Sequence, residues 1–260
     1  MKLEQVIAKL EHLSPPQFAA GWDNSGLQVG RYDQEISAVC LAVDATTPVI
    51  TFAEQQGADL LLTHHPLLFG GIKRIHDRDY IGSRIIRLIR NDISCYAMHT
   101  NFDVIGMADA AADLLRLTDR RVLEVTCRDE VSTEGIGRTG QLPEHMKLDE
   151  FAEYVKKAFR LEQVRVYGNA GDTVVTCAVL PGSGKEEIDL AVAAGADVMV
   201  TGDVNHHAGL DAIEKGIAVI DAGHYGVEKL FVPYMEDYLH RKLPSLEVLR
   251  APEEEPCHLV

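Results

Sequence analysis

Six of the eleven histidines collect at a few places, each just after an apolar run. His64-His65-Pro66 follows ADLLLT (58–63), and His99, with Asp103 one helical turn further on, follows ISCYAM (93–98). Thr201-Gly202-Asp203, with His206-His207 beyond, completes ADVMVT (196–201), and His224, with Glu228 a turn later, follows GIAVID (216–221). Imidazole nitrogen suits Zn, Fe, Mn, Ni and Co, and a carboxylate can bridge two such ions. If a helix begins near Gly223, His224 and Glu228 project from one face of it. Adjacent His64 and His65 diverge on an extended backbone, so they fit two different ions, or one ion and one supporting role. Two ions about 3.5–4 Å apart form a clamp that activates water against a phosphoryl or similar electrophilic centre. A metal that only staples the fold is the competing reading. Structural zinc sites favour Cys-rich shells, and every cysteine lies outside this cluster.

Two weaker motifs accompany the histidines. Gly182-Ser183-Gly184-Lys185 lacks the P-loop spacing, and reads as an ordinary turn or as backbone N–H groups offered to a phosphate. Gly21-Trp22-Asp23-Asn24-Ser25-Gly26-Leu27 holds the single tryptophan, and either lines a pocket or folds a corner. No Ser-His-Asp arrangement carries a local signature, and the G-x-S-x-G elbow is missing.

The elements that must position these groups alternate. Strands are expected at 36–43, 58–63, 93–98, 173–180, 196–201 and 216–221. Helices are expected from Thr46-Thr47-Pro48 to Gly57, around 78–90, over 104–117 and 148–160, and between the later strands up to about Leu243. Residues 121–140 read as strand and turn, and the tail APEEEPCHLV as loose. Alternation of this kind specifies an α/β protein with parallel or mixed sheets covered by helices. In such sheets ligands bind at the carboxyl ends of strands, which is where the histidines fall.

The alternation repeats. QGADLLLTHHP (56–66) is echoed by AGADVMVTGDVNHH (194–207), and a strand with a central cysteine precedes each: CLAVD (40–44) and CAVLPG (177–182). Each is followed by a strand that ends in a His-x-x-x-carboxylate, His99 to Asp103 and His224 to Glu228. The order of these features predicts two related α/β lobes from an internal duplication. The lobes are expected at 1–126, carrying His64, His65 and Asp103, and at 127–260, carrying His224 and Glu228, with the C-terminal helix packing back on the first.

Composition narrows the function. The chain has 260 residues, 46% of them hydrophobic, and a formal net charge of -15. Such an acidic chain repels polyanions, so nucleic acid and anionic membrane surfaces are poor partners. No apolar run is long enough for a membrane span. The N-terminal MKLEQVIAKLEHL reads as an amphipathic helix and not a signal peptide. Five scattered cysteines, with no C-x-x-C pair, fit a reducing, cytoplasmic setting in which Cys40, Cys95 and Cys177 pack as small hydrophobes.

GWDNSGLQVG (21–30), LLTHHPLLF (61–69), AMHTNFD (97–103), TGDVNHHAGLDA (201–212) and IDAGHYGVEK (220–229) together resemble the Ngg-interacting-factor-three-like (YbgI-like) family, often labelled GTP cyclohydrolase I type 2 homologue. The resemblance runs in order from about residue 3 to residue 240. It implies two related α/β lobes around a dinuclear metal site, with ligands at His64, His65, Asp103, His224 and Glu228, and a toroidal homohexamer with its metal sites facing an internal cavity. Ser25, where Val or Pro is common, and Gly226-Val227 before Glu228 depart from the family pattern without touching a ligand position. His99 is outside that ligand set. Its place in the repeat, opposite His224, makes it a supporting residue or a proton carrier.

The sequence therefore points to a dinuclear metal-dependent hydrolase acting on a nucleotide or another small phosphate-bearing or cyclic-amide substrate. A hydroxide held between the ions, bridged through Asp103 or Glu228, would attack while His99 moves protons. A non-catalytic metal carrier or adaptor is the alternative. Exchangeable metal without turnover would mark it.

Overall fold

The structure, a computed structural model, describes residues 1–128, 132–253 and 255–257. Part of the expected strand-and-turn region (129–131) and of the tail (254 and 258–260) lies outside the described residues. The chain divides into two compact units, Met1–Phe102 with Phe231–Val260, and Asp103–Leu230.

The first unit opens with helix α1 (Leu3–Leu13), which buries Leu3, Val6, Ile7 and Leu10 along one stripe. Its sheet has the strand order β1 (Gly26–Val29), β4 (Ser94–Ala97), β3 (Leu60–Thr63), β2 (Ala38–Ala42), β11 (Glu247–Arg250). The strands β2, β3 and β4 run parallel, β11 joins β2 in parallel, and β1 is antiparallel to β4. Every residue of the three central strands is buried, which is why they read as uninterrupted apolar runs. Helix α2 (Thr47–Gln56) starts where Thr46 accepts a hydrogen bond from the Val49 N–H, with Pro48 in the first turn. It ends at Gly57, whose φ of 68° is the left-handed cap. Helix α3 (Tyr80–Arg90) packs Ile85 and Leu88 onto Ile50 and Ala53 of α2 in one core cluster. Helix α10 (Phe231–Lys242) and β11 return to this unit after the second is complete.

The second unit's sheet runs β5 (Thr118–Arg128), β6 (Thr133–Lys147), β8 (Thr173–Ser183), β9 (Val198–Gly202), β10 (Ala218–Asp221), β7 (Arg165–Tyr167). Here β8, β9 and β10 are parallel, β7 is antiparallel to β10, and a long antiparallel pair, β5 and β6, extends the β8 edge. Helices α5 (Ala108–Leu114), α6 (Leu148–Phe159), α7 (Ile188–Ala193), α8 (His206–Glu214) and α9 (His224–Glu228) complete it. The division falls at Phe102/Asp103 and not at 126/127. The turn at 103–107 and α5 pack against β6, α5 also against β8, and β5 pairs with β6, which commits residues from 103 onward to the second unit.

Two helical expectations change in detail. The helix expected over 104–117 forms only as α5, because the preceding Asp103–Met107 leaves helical geometry at Ile105 and at Gly106, whose φ is 143°. The last expected helix is broken into α9 and α10 around Lys229-Leu230.

The two units carry the same frame, a helix followed by an antiparallel edge strand and three parallel strands with helical crossovers. The repeated Gly-Ala-Asp does one job in both. Asp59 Oδ2 accepts the Ser37 and Ala38 N–H groups at 2.7 and 3.0 Å, and Asp197 Oδ2 accepts those of Val175 and Thr176 at 2.9 and 2.9 Å. This carboxylate pins the start of the neighbouring strand. Strand registers then pair Thr63 with Thr201 as equivalents, and Ala97 with Asp221. The cysteine match expected from sequence is one residue out: Cys177 takes the position of Val39, and Cys40 that of Ala178. The His99–His224 match is also one residue out, because His99 falls opposite Gly223 and Thr100 opposite His224.

Candidate functional site

In the first unit three imidazoles converge. His64 and His65 leave the end of β3, and His99 follows β4 just before the short turn Thr100–Phe102 (α4). One ring nitrogen from each lies within 4.8 Å of the others. The rings of His64 and His65 are 4.9 Å apart at 45°, so the two side chains do not diverge as an extended backbone would require. The strand has ended at Thr63, and Thr63 Oγ1 donates to the His65 carbonyl at 2.8 Å, which bends the chain.

Each imidazole is oriented by a partner at Nδ1. For His64 it is the Met98 carbonyl oxygen at 2.8 Å, for His65 Asp44 Oδ1 at 2.8 Å, and for His99 Asp23 Oδ1 at 2.7 Å. With Nδ1 so engaged, Nε2 is the nitrogen turned to a ligand. The same arrangement orients imidazoles bound to metal in general. His64 is fully buried and packs against Phe102 and Phe231, with ring centroids 6.4 and 5.5 Å away.

Asp23 is the hub beneath His99. Besides the imidazole it accepts hydrogen bonds from Ser25 Oγ at 2.6 Å, Thr100 Oγ1 at 2.6 Å and the Thr100 N–H at 3.1 Å. Burial alone would raise its carboxyl pKa, but the hydrogen bonds from His99, Ser25 and Thr100 together hold it well below the ordinary carboxylate range. The loop carrying the lone Trp22 is therefore tied to His99 through an ionised carboxylate.

In the second unit His224 is the first residue of α9, placed by Gly223, whose φ is 75°. One turn later Glu228 lies on the same face, with its Oε2 3.1 Å from His224 Nε2, as the i, i+4 spacing predicts. The other ring nitrogen meets Asp203 Oδ2 at 2.8 Å. The His224 imidazole is thus held between two carboxylate side chains. Glu228 is 3% exposed, so its charge needs a cation or an imidazolium beside it. Asp203, directly after β9, adopts a φ of 58°, an uncommon conformation for a non-glycine residue that aims its carboxylate at His224.

Two glycines make the room. A Cβ on Gly182 would lie 2.7 Å from Glu228 Oε1, and one on Gly202 would lie 2.5 Å from the His224 backbone nitrogen. The Gly182-Ser183-Gly184 stretch therefore finishes strand β8 and leaves space for the Glu228 carboxylate. Asp103 begins the irregular turn of the second unit. Arg138 steadies that turn, donating to the Val104 carbonyl at 3.4 Å and forking onto Asp109 at 2.8 and 2.9 Å. His206 and His207 start α8 on the surface and belong to no group of three metal-type donors among the described residues.

Sequence reasoning singled out Asp203 but missed two supporting carboxylates, Asp44 and Asp23. Asp44 closes β2 at its carboxyl end, so the strand-end rule that found the histidines applies to it. Asp23 stands inside the quoted tryptophan loop, but only the fold brings it to His99.

The donor sets fit divalent first-row metals: imidazole nitrogens oriented through Nδ1, and a carboxylate beside an imidazole. No helix among the described residues is long and apolar enough to cross a membrane.

Known proteins share this sequence and architecture. "GTP cyclohydrolase 1 type 2 homolog" of Clostridium perfringens is 35% identical over 88% of this chain and 87% of its own length. The protein of the same name from Methanocaldococcus jannaschii is 35% identical over 96% of this chain and 98% of its own. The crystal structure of a Bacillus cereus protein related to NIF3 superposes with a TM-score of 0.91 at 25% identity, over 100% of this chain and 99% of that one. The family model described as Duf34/NIF3 (NGG1p interacting factor 3) matches residues 1–256. With this match across nearly the whole length, the chain belongs to the Duf34/NIF3 family.

Proposed function

We propose that this protein is a dinuclear metal-dependent hydrolase, with His64, His65, Asp103, His224 and Glu228 as the ligands of two divalent ions. The single observation that carries the reading is the repeated orientation of imidazoles. Each of His64, His65 and His224 is held at Nδ1 by a carbonyl or carboxylate oxygen, which presents Nε2 for coordination. When bound, such an ion pair lowers the pKa of water and polarises the electrophile. His64 and His65 orient from the first unit, and Glu228, buried beside His224, supplies the carboxylate suited to bridging. His99 carries protons: Asp23 fixes its Nδ1, so Nε2 is the atom that exchanges a proton with substrate or solvent. Asp23, held ionised, stabilises the imidazolium that forms.

The name of the curated relatives supports a substrate among nucleotides or other small phosphate-bearing or cyclic-amide compounds. We place the protein in the cytoplasm as a homohexamer, in keeping with the family resemblance and the free thiols. The test is metal content per chain by inductively coupled plasma mass spectrometry, followed by a hydrolase screen on the loaded protein. The reading expects close to two ions, lost from Asp103→Ala and His224→Ala without loss of fold. Less than half an ion per chain, unchanged by metal repletion and by the substitutions, overturns it.

A further inference from the structure

Two large aromatic rings stand in solvent beside the histidine cluster of the first unit. Trp22 is 66% exposed and Phe69 67% exposed. Their ring centroids are 6.0 Å apart at 56°, and each meets His99 nearly edge-on, at 5.9 Å and 73° for Trp22 and 6.4 Å and 73° for Phe69. The two tilted rings and the His99 imidazole form one aromatic cluster.

The rings are held in place although they are exposed. Asn24 Nδ2 donates to the Leu68 carbonyl at 2.6 Å, and Gln28 Oε1 accepts the Leu68 N–H at 3.1 Å. Gln28 Nε2 returns to the Asn24 carbonyl at 2.5 Å, so three residues lace the tryptophan loop to the segment carrying Phe69. Between Trp22 and Asn24, Asp23 is anchored by His99, Ser25 and Thr100. Largely exposed apolar rings held in place by polar ties form a preorganised binding surface.

We propose that Trp22 and Phe69 form the stacking platform for a planar heteroaromatic ring of the substrate, a nucleobase in chemical class, and so set specificity at the hydrolytic centre. The inference rests on the proposed function for its neighbour, the metal centre, but the platform itself contains no metal ligand. A base stacks on aromatic side chains through its uncharged π-face, so a strongly acidic chain can bind that part of a nucleotide without electrostatic cost.

Trp22 is the only tryptophan, so intrinsic tryptophan emission reports this platform alone. The experiment titrates the full chain, metal-loaded and chelated, with guanosine and adenosine monophosphates, and in parallel with ribose 5-phosphate and inorganic phosphate. Saturable quenching by both nucleotides and none by ribose 5-phosphate or phosphate is expected. Phe69→Ala should raise the Kd about tenfold, with Phe69→Tyr restoring it. Quenching by ribose 5-phosphate equal to that by the nucleotides, or a Kd untouched by Phe69→Ala, overturns the proposal. So does emission that responds only to protein concentration, since a second copy would then cover the ring. Quenching in a protein that holds no metal keeps the platform and discards the hydrolase. Two ions with no quenching does the reverse.

Discussion

The two units share one frame and differ at the strand ends. By strand register Thr63 and Thr201 are equivalent, so His64-His65 in the first unit corresponds to Gly202-Asp203 in the second. The first unit thus orients an imidazole from β3 with a carboxylate from β2, Asp44 to His65. The second moves the carboxylate to the strand-end position that His65 holds in the first, so that Asp203 orients an imidazole from the next element, His224. One frame delivers the same carboxylate–imidazole pair from different strands. Scaffold contacts such as Asp59 and Asp197 have stayed alike after duplication, while side chains at the carboxyl ends have diverged.

The largest expected effect breaks the second unit alone. Arg138 is 5% exposed and holds Asp109 in a forked pair, with further bonds to the Gly135 and Gly137 carbonyls at 2.8 and 2.9 Å. Arg138→Ala should cost about 3 kcal/mol in urea unfolding, the lower end for a broken buried pair because Asp109 remains half in water. The partners of Arg138 lie at Val104, Asp109, Gly135 and Gly137, so amide hydrogen exchange should rise chiefly over residues 103–147. Next come the orienting carboxylates. Asp44→Ala and Asp203→Ala should each weaken metal binding about 10–100-fold by competition with a chelating dye, with unchanged melting of the metal-free protein. Equal losses would show that the two pairs are interchangeable solutions. A loss in one unit only would show that the shared geometry conceals unequal roles.

Much of this was legible because parallel strands bury both faces. LLLT, SCYA and AVCLA can only be interior, and His64, His65 and His99 follow two of these runs. Cys40 and Cys95 likewise read as interior thiols, and burial pushes both up to about 12. The His224–Glu228 pair was legible through helix periodicity. Three things were not. The divergence expected of His64 and His65 assumed an extended backbone, and the bend made by the Thr63 side chain removes it. The unit boundary was hidden because β5 chooses its sheet by a partner that follows it in sequence. The registers of the cysteine and His99 matches slipped by one because type and order were compared, whereas strand pairing fixes position.

A smaller effect tests whether the repeat is energetically symmetric. Asp59→Ala and Asp197→Ala each strip a carboxylate from two strand N–H groups that lie near water. Each should cost about 1–2 kcal/mol in urea unfolding. Costs that differ by more than about 1 kcal/mol would mean that the motif survives in sequence with its load carried by one unit.

The smallest expected effect separates the units by pH. Asp23 belongs to the first unit, and its hydrogen bonds to His99, Ser25 and Thr100 lower its folded pKa below the unfolded value of about 3.9. A depressed carboxylate contributes stability that is complete above the unfolded pKa and is lost as pH falls through the folded one. Asp23→Asn keeps an acceptor for the serine and threonine hydroxyls but removes the charge and turns an amide donor toward His99 and the Asn24 N–H, so near pH 7 it should cost at least about 1 kcal/mol, the margin of a charged hydrogen bond over a neutral one. That gap should hold down to about pH 5 and shrink progressively below about pH 4 as the wild-type carboxylate takes up its proton. Urea midpoints measured across this range decide it. A gap that stays constant to pH 3 would mean the variant is destabilised by packing, with Asp23 no more acidic than a surface carboxylate.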